Sequence, residues 1–369
     1  MNQRFSMRIR TALLAGSVGA GMMKDTILAQ EVNGTPEATP LASPVPDGDL
    51  PVTQVAQLTG PNPPSINETY STYGVYGCDL GSTFMYNDEM VFAFGDTFGY
   101  AGGSWRSNCI AFSTDDDPAD GITLDRFIVD EASGIAIEVL PSKKIDFDEM
   151  TVIPTYGVAV GDRMFLHYMS VYHWGPSGQW ELGHSGLAYS DDGGQTWTKD
   201  PGAVWDGDTN FGQVAIVESE GMLYFFGIHG GRYDGMQLAR VLPENILDLP
   251  TYEYWTGDDW VTDISAATTV IPAPVGELSV RWNSYYNKWI LMTLDDPQQQ
   301  IQLFTADALT GPWEGPRVVA RSSEYPALYA PFQFPKWNDG PDIWFAMSLF
   351  GPYQVFLMKT AIPDLDPNG

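Results

Sequence analysis

The sequence predicts an all-β protein, a five-bladed β-propeller whose ring is closed by an N-terminal strand. Three observations carry that expectation. A unit of strand, polar turn and short apolar strand occurs five times, the units recur about every 55 to 75 residues, and each apolar run is continuous. Alternation would mean a sheet wet on one face, whereas continuous runs need cover on both. Sheets packed face to face around an axis supply it. A stacked β-sandwich is the alternative architecture.

In chain order, the apolar runs are MVFAF (90–94), MFLHY (164–168), MLYFF (222–226), KWILM (288–292) and IWFAM (343–347). The turns ahead of them are Asn87-Asp88, Gly161-Asp162, Glu220-Gly221, Tyr286-Asn287 and Asn338-Asp339-Gly340, all rich in residues that reverse a chain. Third strands are expected at 108–112, 186–189, 236–240, 301–304 and 354–358. Four of these lead through a polar turn into a further segment with an aromatic residue. The fifth meets the C-terminus first, so residues 52–58 are expected to supply its outer strand. SDDGGQTW (190–197) resembles the Asp-box turn of many propellers, sialidases included, and its role is structural. Sialidase activity itself is disfavoured, because a carboxylated sugar needs an arginine cluster that the first repeat lacks.

Residues 1–29 have the layout of a secretory signal: Arg4, Arg8 and Arg10, an apolar stretch over 11–23, and a small residue at Ala29. An uncleaved anchor is the other reading. Residues 30–51, rich in Pro, Thr, Ala and Ser, read as a solvated linker. The propeller is expected over 52–369. A formal net charge of −29 repels phosphate backbones and anionic lipid. Nucleic acid and membrane surfaces are thereby disfavoured as partners, and a secreted protein acting on a neutral ligand fits. Cys78 and Cys109, the only cysteines, fall on first and third strands of one sheet, so no bridge is expected. The four histidines show no ligand spacing, and neither metal nor cofactor is expected.

In a propeller the inner strands line a channel and the loops at one end form the pocket. Asp79, Glu149, Gln213, Glu277 and Tyr329 stand near the starts of the five inner strands. Asp96 ends the strand paired with that of Asp79, so two carboxylates flank one hairpin. Crowded carboxylates raise one another's pKa, which lets one stay protonated beside an ionised partner. Glycoside hydrolysis requires such a pair. Glu149 and Glu277 are reserve catalytic or orienting groups. Arg106, His229 and Arg232 are candidates for holding sugar hydroxyls, or else for pairing with the abundant carboxylates. Trp174 and Tyr329 are candidates for stacking on sugar, or else for the core.

The segments YGCDLG (76–81), FGDTF (94–98), WRSNCIAFS (105–113), EMTVIPTYG (149–157), AYSDDGGQTW (188–197), HGGRYDG (229–235), YEYWTG (252–257), GELSVRWN (276–283), LTGPW (309–313) and SLFGPYQVFLMK (348–359) occur in this order. Together they resemble the propeller family first catalogued as domain of unknown function 4185, members of which are classed as glycoside hydrolase family 183, endo-D-arabinanases. The resemblance implies endo-acting hydrolysis of α-D-arabinofuranosidic linkages in D-arabinan, as in mycobacterial arabinogalactan and lipoarabinomannan. It places the acidic pair on Asp79 and Asp96, with Asp79 as general base, Asp96 as general acid, and the reverse order open. Inversion is the expected outcome and requires the carboxyls to stand about 6.5 to 9.5 Å apart. Departures from the family pattern are Cys78 in place of threonine, Cys109 in place of an aliphatic residue, and Tyr156 in place of glycine. Two other functions remain open: a non-catalytic carbohydrate-binding propeller, and a furanosidase acting on another substrate such as L-arabinan.

Overall fold

A computed structural model describes residues 49–367. The signal and nearly all of the linker expected from the sequence lie outside the described residues. Five antiparallel sheets follow one another along the chain. The first is built from β2 (Gly77–Tyr86), β3 (Glu89–Phe98), β4 (Cys109–Ser113) and β5 (Arg126–Phe127). The second holds β6 (Thr151–Val160), β7 (Arg163–Trp174), β8 (Trp180–Ser190) and β9 (Thr198–Asp206). β10 (Gln213–Ser219), β11 (Met222–Ile228), β12 (Gln237–Val241), β13 (Glu253–Trp255) and the short β14 (Trp260–Val261) make the third. The fourth contains β15 (Leu278–Asn283), β16 (Lys288–Asp295), β17 (Gln300–Ala306) and β18 (Glu314–Arg321).

The fifth sheet closes the ring. β19 (Leu328–Gln333), β20 (Ile343–Leu349) and β21 (Gln354–Thr360) are joined at the outer edge by β1 (Val52–Gln57). β1 runs antiparallel to β21, with Val52 opposite Thr360 and Gln57 opposite Phe356. The expected N-terminal closure is therefore present, and the fold is a five-bladed β-propeller. Residues just ahead of β1 also join the fold. Asp49 pairs with Arg321 at 2.6 and 2.8 Å, and the Leu50 amide donates to the Val318 carbonyl at 2.7 Å.

Each predicted apolar run lies on the second strand of its blade, and almost every residue in those runs is buried. Neighbouring blades cover both faces, which is why the runs do not alternate. The core is mainly one apolar cluster running around the ring, with a smaller one between blades one and two. Inner strands touch in the circular order β2, β6, β10, β15, β19, β2. All five begin at the same end, here termed the loop end, and the hairpin turns lie at the other. The 190–197 turn behaves as expected: Asp192 accepts from Thr196 N at 2.9 Å and Thr196 Oγ1 at 2.6 Å. Cys78 and Cys109 are buried free thiols on β2 and β4, with β3 between them. Among the described residues no helix is long and apolar enough to cross a membrane.

Candidate active site

The β2–β3 register explains how two aspartates meet. Cys78 pairs with Thr97 and Leu80 with Phe94, so Asp79 alone stands opposite Gly95 and Asp96. Such a bulge re-aims side chains at a strand end. Leu80, with φ at 64°, and Gly81, with φ at 79°, carry the turn of the strand. Gly95 is needed for a second reason. A Cβ there would lie 2.4 Å from Asp79 Oδ1, so this carboxyl rests on the bare Cα of the residue preceding Asp96.

Asp79 Oδ2 accepts from the Tyr329 hydroxyl at 2.9 Å, while Oδ1 is enclosed and has no hydrogen-bond partner among the described residues. Asp96 Oδ1 accepts from Trp105 Nε1 at 2.8 Å and from Thr151 Oγ1 at 2.7 Å. Burial pushes Asp79 up to about 7, the charge of Asp96 adds to this, and donation from Tyr329 and Tyr353 opposes it. Burial likewise pushes Asp96 up to about 6, against donation from Thr151 and Trp105 and the nearby Lys144 charge. Both acids thus titrate near neutrality.

A second polar group adjoins the pair at the loop end. Arg232 donates to Glu277 Oε1 at 2.7 and 3.1 Å and to Asp296 Oδ1 at 3.0 Å. Its guanidinium lies 5.2 Å from the ring centre of Tyr329 and 5.5 Å from that of Trp180. The two carboxylates hold Arg232 charged despite burial. Glu277 Oε2 is buried with no partner among the described residues, and Glu277 adds to the field that raises Asp79.

The structure brings together Asp79, Asp96, Glu277, Arg232 and Tyr329, and sets other predicted residues apart. Glu149 does not join them. It precedes β6 by two residues and accepts from Ser170 Oγ at 3.1 Å and the Lys143 amide at 3.2 Å, while Thr151 takes the place beside Asp96. Arg106 is buried and donates to the carbonyls of Ala136 and Gly74 at 2.9 and 2.8 Å, clamping two loops. Gln213 is also buried and donates to the Gly231 carbonyl at 3.1 Å. His229 Nδ1 lies 2.9 Å from the Gly230 carbonyl and 3.7 Å from Asp234. Trp174 packs edge-on against Trp180 at 5.5 Å, and it is Trp180 that meets Arg232. Trp105, Thr151, Trp180, Asp296 and Tyr353 were not singled out from the sequence. Trp105, Thr151 and Tyr353 do fall within segments that carry the family resemblance.

Among the described residues, no three His, Cys, Asp or Glu side chains are grouped to hold a metal. An open groove of about 610 Å³ between Trp282 and Trp337 lies among the hairpin turns, at the end of the ring away from the carboxyls.

Ring and site together define a five-bladed propeller with paired, desolvated aspartates at its loop end. Within that class, the chain belongs to the family described as Domain of unknown function (DUF4185), whose model matches residues 64–359. No curated protein matches it by sequence. Among solved structures it is similar to a Bacteroides ovatus protein described as a candidate hydrolase (12% identity, 79% of this chain and 87% of that one, TM-score 0.58). It is also similar to the α-L-arabinofuranosidase PaAbf62A of Podospora anserina (12% identity, 85% and 98%, TM-score 0.51). A third likeness is to Zg3597 of Zobellia galactanivorans, a family 117 glycoside hydrolase (14% identity, 87% and 92%, TM-score 0.50). At these identities the likeness is one of fold.

Proposed function

We propose that the protein is a secreted glycoside hydrolase that cleaves internal α-D-arabinofuranosidic linkages of D-arabinan, with Asp79 and Asp96 as its proton-transfer pair. The observation that carries this reading is the pair itself: two desolvated carboxyls on adjacent strands, held at about 7 and about 6. Near neutral pH such a pair keeps one proton, which is the state that glycosidic cleavage needs at its outset. The propeller hydrolases among its structural neighbours support the broad class, and the family resemblance supports D-arabinan.

The hydrogen bonds favour one order of roles, the reverse of that first expected from the resemblance. Asp96 receives two donors on one oxygen, which stabilise its ionised form, so it serves as the base that positions water. Asp79 keeps the proton longer and serves as the acid. In the reaction, Asp79 gives its proton to the departing glycosidic oxygen as the bond from that oxygen to C1 breaks. Water held by Asp96 bonds to C1 and yields its proton to Asp96, giving an inverted hemiacetal. Glu277 and Arg232 hold the sugar ring through its hydroxyls, and the unpartnered Glu277 oxygen is the acceptor they offer.

The test combines Asp79→Asn and Asp96→Asn with a panel of D-arabinan, L-arabinan and galactan. Each variant should lose at least 10³-fold in release of reducing ends while keeping the wild-type circular dichroism spectrum. An aryl arabinofuranoside with a good leaving group should restore turnover to Asp79→Asn, and azide should restore it to Asp96→Asn. Wild-type activity in either variant removes the pair from the chemistry, and products that retain configuration would make Asp96 the nucleophile.

A further inference from the structure

The loop end bears a second feature that acid–base chemistry does not use. Tyr70, Tyr76 and Tyr100 form an aromatic cluster, with ring centres 5.1 Å apart for Tyr70 and Tyr76 and 5.3 Å for Tyr76 and Tyr100. Tyr100 is 65% exposed and Tyr70 37%, and Phe350 nearby in the ring is 51% exposed. Exposed rings gathered in one place, as here, are what a binding surface for the apolar face of a ligand presents.

The cluster is continuous with the acid pair. Phe98 stacks on Trp105, which donates to Asp96, and meets Tyr353 edge-on at 5.5 Å. Tyr353 acts on Asp79 and in turn carries Phe350 at 6.1 Å. The Tyr76 amide donates to the Phe98 carbonyl at 2.9 Å, fixing the tyrosines one step outward from Gly77, which pairs with Phe98. The loop that presents Tyr100 is strained: Ala101 and Ser104 have φ at 54° and 50°, and Gly99 N donates to the Gly103 carbonyl at 2.6 Å. Non-glycine residues held in that region mark a conformation that the surrounding structure enforces.

We infer that Tyr70, Tyr100 and Phe350, with Tyr76 braced edge-on against the two tyrosines, form a shelf of distal subsites that stacks on successive sugar rings of a neutral polysaccharide chain threaded past Asp79 and Asp96. Ring faces pack on the CH faces of sugars, and an uncharged shelf on an acidic protein suits a ligand without charge. Such a shelf predicts a preference for polymer over small glycosides and for cuts within a chain. This inference rests on the proposed hydrolase reading for its kinetic consequence, although binding tests it separately.

The experiment uses the triple variant Tyr70→Ala, Tyr100→Ala, Phe350→Ala in the full chain, with melting checked against wild type. On D-arabinan, kcat/KM should fall tenfold or more through KM, while kcat/KM on an aryl arabinofuranoside stays within twofold. Equal loss on both substrates, or no loss on polymer, overturns the shelf. In affinity electrophoresis, D-arabinan, L-arabinan, galactan and xylan are each cast in the gel, with Asp96→Asn as the reference protein. Retardation by at least one polysaccharide, abolished when the three shelf substitutions are added, supports the shelf even if wild type cleaves none of them. That last result would defeat only the hydrolase reading. Retardation by none, or retardation that survives the substitutions, overturns the shelf.

Discussion

Burial raises Asp79 most, and Tyr329 is the leading partner that opposes it. Its hydroxyl donates to Asp79 and its ring face lies against Arg232. Donation to a carboxylate favours the charged form and so lowers its pKa. In Tyr329→Phe the ring stays on Arg232 but the donor is gone, so Asp79 should titrate above about 7. A general acid must be protonated, and activity falls as pH rises through its pKa. The basic limb of kcat/KM should therefore move upward, by roughly half to one unit. A limb that stays in place, or moves down, would take the acid role from Asp79. At this scale the sequence exposed Asp79, Gln213, Glu277 and Tyr329 through their similar distances ahead of the hairpin turns, and Asp96 through its place at the end of the strand that returns from the first of them. It misplaced Glu149, because a carboxylate two residues before a strand looks the same whether it points inward or, as here, to Ser170.

Among the elements, the 190–197 turn separates structure from activity most cleanly. Asp192 accepts from Ser190 Oγ, Thr196 N and Thr196 Oγ1, and these bonds hold its carboxyl below the usual carboxylate range. With the native pKa depressed, the stabilisation is present above the unfolded value near 4 and is lost as pH falls through the native one. Because this carboxylate is exposed and screened by solvent, Asp192→Ala should cost no more than about 1 kcal/mol at pH 7, seen as a fall in Tm of a few degrees, with kcat on polymer unchanged. The difference from wild type should shrink as pH falls through the depressed native value. A variant that melts normally would show that the backbone alone sets this turn. The turn was legible because its residue types fix its hydrogen bonds locally. The β2–β3 bulge was not, since only the partner strand shows that one residue faces two.

Over the whole molecule, closure depends on β1, which completes the fifth blade from the opposite end of the chain. Asp49 and Leu50 extend this join to β18 of the fourth blade. Removing residues 1–57 exposes the β21 edge and opens the blade next to β2. Such a protein should lose cooperative melting, or melt at least about 10 °C lower, and should aggregate through the free edge. Unchanged melting would mean that four complete blades and a three-stranded fifth suffice.

Architecture was fixed by the residues themselves. Five unbroken apolar runs behind five polar turns need cover on both faces, which sheets facing one another around a ring supply, and a last repeat lacking its outer strand calls for the N-terminus to provide it. Which side chains meet was decided by tertiary structure alone. The partners of Asp96 come from a loop seven residues after β3 and from the first residue of the next blade, and the partner of Asp79 comes from blade five. Periodicity sets where a strand begins, but a side chain's neighbours across the ring depend on bulges and blade packing that no local pattern encodes.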